Sequence, residues 1–152
     1  MSRLKKISLA ITGLFIAIQF IQPARNINGQ VLATDITKVV TVPDSVQMIF
    51  KKACYDCHNN NTKYPFYAYI QPIGWLLNNH IVEGKKNLNF SEFGSLSKRR
   101  QTSKLKSIVD QVNDDAMPIS QYTLIHRDAV LNKTEKNLII NWANSTRDSL
   151  SK

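Results

Sequence analysis

The chain has 152 residues and a formal net charge of +9, from 20 Lys and Arg against 11 Asp and Glu, and it contains two cysteines. That length suits one modest core, and two cysteines cannot build a disulfide framework. Setting aside Arg3, Lys5 and Lys6 near the start leaves 17 basic against 11 acidic residues, a net +6. The excess is scattered over Lys51-Lys52, Lys85-Lys86, Lys98-Arg99-Arg100, Lys104 and Lys106. No groove-reading or base-stacking machinery accompanies it, so nucleic acid is excluded as a partner. Solvated helix faces explain the charge best; a basic docking rim for an acidic partner is the lesser alternative.

In chain order, residues 1–22 open with Arg3, Lys5 and Lys6 and continue as an apolar run of about 15 residues, Ile7 to Ile21. The run is short for a spanning helix and right for the apolar part of a signal peptide. No clear small-x-small cleavage site follows it, so a cleaved signal and a retained membrane anchor through residues 7–21 both stay open. Either places the domain beyond the cytoplasmic membrane, in the periplasm. Residues 23–42 are polar with a few β-branched side chains and read as a tether.

The domain itself is expected over 43–148. Pro43-Asp44 opens a helix whose Val46, Ile49, Phe50 and Ala53 form one apolar stripe. Asn59-Asn60-Asn61-Thr62 breaks it. An aromatic stretch, Tyr64 to Ile70, precedes Pro72 and a second helix carrying Ile73, Leu76, Leu77, His80, Ile81 and Gly84. Asn87–Phe93 reads as a loop with Ser91 as an N-cap. A third helix carries Leu105, Ile108, Val109 and Val112 and ends at Asp114-Asp115-Ala116-Met117-Pro118. After a loop with Tyr122 and an exposed His126, Asn132-Lys133-Thr134-Glu135 resembles a capping box. It starts a last helix with Leu138, Ile139, Trp142 and Ala143 inward. No strand-like alternation occurs, so the fold class is all-α, with about four helices.

Both cysteines lie in Cys54-Tyr55-Asp56-Cys57-His58, the Cys-x-x-Cys-His pattern of c-type haem attachment. Each thiol can form a thioether with one haem vinyl group, and the adjacent His58 can bind iron on one face of the ring. A redox dithiol would follow a strand rather than a helix, and a zinc site would need a second ligand pair. For the sixth iron ligand, Met117 is expected: it lies 59 residues after His58, in a loop stiffened by Pro118. A thioether ligand raises the potential relative to a second imidazole. His80 is the alternative, and a vacant sixth position the third case. There is no nucleophile–base pair, phosphate loop or carboxylate cluster. An electron carrier is therefore expected rather than an enzyme; a haem enzyme or gas or redox sensor with an open sixth site is the alternative function.

With these residues in view, the chain resembles the small Met–His cytochromes c. It is most similar to the exported haem-binding domain family common in Bacteroidetes. The stretches that carry the resemblance are Cys54–His58, Tyr64-Pro65-Phe66-Tyr67, Pro72-Ile73-Gly74-Trp75-Leu76 and Glu83-Gly84-Lys85. Leu88 to Phe93, Met117-Pro118 and Asn141-Trp142-Ala143 complete it. The resemblance implies one covalent haem c on Cys54 and Cys57 with His58 as proximal iron ligand, inside a cytochrome c-like helical shell. It also implies that the first and last helices of the domain cross, bringing Phe50 near Trp142, and that a carbonyl from Pro65 or Pro72 orients the His58 ring. The partner would be another redox protein.

Overall fold

A computed structural model describes residues 2–151, and these are helical, with no strand among them. The longer helices are α1 (Arg3–Gln19), α3 (Asp44–Ala53), α5 (Ile73–Asn87), α6 (Lys98–Asn113) and α8 (Lys133–Leu150). Three shorter ones, α2 (Ile36–Val39), α4 (Tyr55–His58) and α7 (Ser120–Ile125), sit in the connections, with 3-10 turns at Phe66–Tyr69, Phe90–Ser95 and Arg127–Ala129.

The main core is built by α3, α6 and α8. Their apolar residues recur at helical spacing, so each buries one stripe: Val46, Ile49, Phe50 and Ala53 on α3, Leu105, Ile108 and Val112 on α6, Ile139, Trp142 and Ala143 on α8. Leu138 was expected inward with the last group but stays exposed. Phe50 and Trp142 meet edge to face with centroids 5.3 Å apart, where α3 crosses α8. The Trp142 indole donates to the Thr41 carbonyl at 2.9 Å. The start of α8 is a capping box: Asn132 accepts from the Glu135 amide, and Glu135 accepts from the Asn132 amide.

A smaller core forms under α5, where Leu77 and Ile81 pack with Ala68. Cys57 packs against this cluster, whereas Cys54 packs against the main one. The haem-motif turn therefore lies on the seam between the two. Asn89, not Ser91, caps the 3-10 turn that follows α5, accepting from the Ser91 amide at 3.1 Å. The Ser91 hydroxyl is buried; it donates to Asn59 Oδ1 at 2.9 Å and accepts from the Asn60 amide at 3.2 Å.

Residues 23–42 are packed against the domain instead of forming a tether. Ile36 has no exposed surface and joins the main core. The Asn26 side chain donates to the Asn59 carbonyl at 2.7 Å and to Thr62 Oγ1 at 2.9 Å, and Thr34 donates to the Ser91 carbonyl at 2.9 Å. These are polar contacts between short side chains and backbone, which leave no periodic apolar signal. By contrast α1 buries no side chain, and no described helix is long and apolar enough to cross a membrane.

Candidate functional site

Helix α3 runs directly into the motif: the Cys54 amide still donates to Phe50 O at 2.9 Å, but its backbone (φ −127°, ψ −41°) ends the helix there. One further turn, α4, follows, closed by the His58 amide on Cys54 O at 2.9 Å. Helix α5 lies against this turn so closely that a Cβ on Gly84 would stand 2.7 Å from the Cys57 carbonyl oxygen. Only glycine allows that approach.

His58 is half-buried beside Phe90, and its Nδ1 lies 2.9 Å from the Leu88 carbonyl oxygen. A carbonyl only accepts, so Nδ1 carries the proton and Nε2 keeps its lone pair for a metal. Leu88 thus occupies the role expected of Pro65 or Pro72. Burial lowers the His58 pKa, opposed by its backbone hydrogen bonds, so the neutral imidazole is favoured. Burial also pushes the thiols up, Cys54 to about 12, with the neighbouring Cys57 adding to the effect, and Cys57 to about 11, with Asp56 adding. Both sulfurs are therefore protonated and uncharged at neutral pH.

A cleft of about 490 Å³ opens beside the motif, within the usual range for a small-molecule or cofactor site. Cys54, Cys57, His58, His80 and Met117 all line it. Its apolar walls come from Phe50, Phe90, Ile108, Val112 and Ile139, and Lys104, Ser107 and Gln111 add polar groups from α6. Met117 is turned toward it by the end of α6: Asp115 takes a left-handed backbone (φ 56°), and the Ala116 and Met117 amides both return to the Gln111 carbonyl. Among the described residues, no group of three or more His, Cys, Asp or Glu is arranged to hold a bare metal ion.

Sequence reasoning missed a polar cluster at the edge of this cleft. The Tyr122 hydroxyl donates to Asp56 Oδ2 at 2.8 Å, and burial, then that bond, raises its pKa. His126 is not exposed: its ring stacks on Tyr122 at 4.3 Å, and its Nε2 lies 2.5 Å from the Tyr67 hydroxyl. The signal available was two aromatic residues in separate loops and an acid inside the motif, too little to pair them.

An all-helical shell around an apolar cleft, with a histidine presenting Nε2 and sulfur-bearing side chains on the walls, suits a protein that holds a flat iron-bearing ring. The residues present fit haem: the imidazole is neutral and oriented, and the cleft walls are apolar. A family model described as haem-binding domain matches residues 13–145, and the chain belongs to that family. Its cofactor is accordingly haem, with its iron. No curated protein and no solved structure matches the chain.

Proposed function

We propose that this haem-binding domain is a c-type cytochrome of the small Met–His kind, exported to the periplasm, that carries single electrons between redox proteins. The observation that carries the reading is the oriented His58 imidazole, hydrogen-bonded to the Leu88 carbonyl, lining the same cleft as the half-buried thiols of Cys54 and Cys57. Burial that raises the thiol pKa values disfavours a reactive redox dithiol, and a zinc site would need a further ligand group, which is not assembled among the described residues. Cys54 and Cys57 would hold the haem covalently, His58 would be its proximal ligand and Met117 its distal one. When bound, haem supplies a one-electron couple. The protein's part is to hold both axial ligands, exclude water from the cleft and fix the imidazole tautomer through Leu88. His80 lines the cleft as well and is the rival distal ligand.

A second reading is a haem enzyme or sensor with an open or displaceable sixth site. Lys104, Ser107 and Gln111, which line the cleft along with Met117, favour it, because polar groups there could meet a small ligand. Full-length protein made with a cytochrome c maturation system decides between the two. Haem that stays with the chain in acidified acetone, and a low-spin ferric spectrum with a weak red-end band lost in Met117→Ala but kept in His80→Ala, supports the electron carrier. Rapid cyanide or carbon monoxide binding to high-spin haem in the unaltered protein supports the second reading. A chain that loses all colour in acid acetone sinks covalent attachment.

A further inference from the structure

Helix α1 exposes apolar residues on every side, among them Leu9, Ile11, Leu14, Phe15 and Ile16. A helix without a polar face is unstable in water and belongs in an apolar medium. Its C-terminal end is nevertheless built into the domain. Gln19 and Gln71 exchange two hydrogen bonds, Gln19 Nε2 to the Gln71 carbonyl at 3.1 Å and the Gln71 amide to Gln19 Oε1 at 2.8 Å. The Gln71 side chain donates to Gln22 Oε1 at 3.0 Å, and the Trp75 indole donates to the Ile21 carbonyl at 2.8 Å. Gln71 has no exposed surface. Cleavage just after the apolar run would therefore take Gln19 from the Gln71 backbone and the Ile21 carbonyl from the Trp75 indole. The family match likewise begins at residue 13, inside α1.

The surface where α1 is fastened is itself apolar. Phe66 is 80% exposed and Phe20 84%, and Tyr69, Ile70, Ile73 and Leu76 are exposed beside them. No Asp, Glu, Lys or Arg occurs from Tyr64 to Asn79, nor from Ile7 to Ala24. A charged protein partner finds no complement on such a face, whereas a lipid interface does. The Arg25 guanidinium lies over the Tyr64 and Tyr69 rings, 4.7 and 4.1 Å from their centroids, the amphipathic chemistry of a headgroup zone.

We propose that residues 3–22 stay on the mature protein with α1 embedded in lipid, and that the Phe66–Tyr69 turn and the first turn of α5 rest in the headgroup–acyl boundary of a phospholipid bilayer. An apolar run of about 15 residues is about 22 Å long, against about 30 Å of hydrocarbon. A helix that short draws whatever is attached to it toward the interface. Arg3, Lys5 and Lys6 reach for headgroups at one end, and the apolar face of the domain meets them at the other. The claim is independent of the iron's ligands, so a colourless product would sink the haem chemistry and leave this measurement standing.

The test uses the full chain, exported and matured in a bacterial host. Its intact mass should include residues 3–22; a chain beginning after residue 22 overturns the proposal. The protein is then placed in phosphatidylethanolamine–phosphatidylglycerol vesicles whose acyl chains carry a photoreactive diazirine. Lipid adducts are expected within residues 7–21 and also within 66–76. Adducts confined to 7–21 overturn the docked face. The variant Phe66→Ser/Ile73→Ser/Leu76→Ser changes only exposed positions. It should lose most labelling at 66–76 while keeping that at 7–21; unchanged labelling at 66–76 would mean random collision and overturn the proposal too.

Discussion

Gly84 and His58 hold the motif turn from two sides. At Gly84, the helix backbone passes so near Cys57 that Gly84→Ala forces a methyl to 2.7 Å from a carbonyl oxygen, which is backbone and cannot swing away. We expect a loss of about 2 kcal/mol, read as a lower guanidinium midpoint, with less haem incorporated per chain. At His58, burial depresses the pKa below its ordinary value. The unfolded chain therefore takes up the proton first as pH falls. The contribution of His58 is complete above about pH 6.5 and is lost as pH drops through the lower, folded value. Iron, if bound at Nε2 as proposed, would compete with the proton in the same direction. The guanidinium midpoint of the haem-loaded protein should fall between pH 7.5 and 5, and a midpoint that rises over that range contradicts the lowering of the His58 pKa by burial. The Leu88 carbonyl was not legible in the sequence because a main-chain acceptor has no residue type. Only the chain path shows which carbonyl reaches the ring.

The element that ties the motif down is the 3-10 turn Phe90–Ser95 together with the Asn59–Asn61 segment. Ser91→Ala removes the acceptor of the buried Asn60 amide and the donor to Asn59. An orphaned buried amide costs about 2 kcal/mol. A matching drop in denaturation midpoint is expected, and because Asn59 follows His58, the low-spin spectrum should broaden with it. Glu135→Gln gives a contrast. Its carboxylate is held below the usual range mainly by Lys52, which lies 2.6 Å away, with the Asn132 amide adding to the effect. The amide keeps the capping geometry but loses the ion pair. We expect a loss of about 0.5 kcal/mol at pH 7, shrinking as pH falls through the depressed carboxyl pKa. Helices α3, α6 and α8 were legible because Val46, Ile49, Phe50, Leu105, Ile108 and Ile139 recur at helical spacing. Residues 23–42 were not, because Asn26, Thr34 and Asp35 act through hydrogen bonds, and Ile36 and Val42 are too few buried apolar side chains to show a period. Helix α7 was too short to show a period, so Tyr122 read as a loop residue.

Across the whole molecule, the two apolar clusters are joined chiefly at one place. Cys54 belongs to the cluster of α3, α6 and α8, and Cys57 to that of α5. If both sulfurs carry the same porphyrin, the cofactor is a rivet through two plates. A chain with Cys54→Ala and Cys57→Ala keeps its helices but lacks the rivet, and its guanidinium midpoint should fall below that of the haem-loaded protein. The order of events in the cell follows. On that reading each thiol, partly covered by its own cluster, would have to be joined to the ring before the two clusters finish packing. Closure would then lock the pigment in.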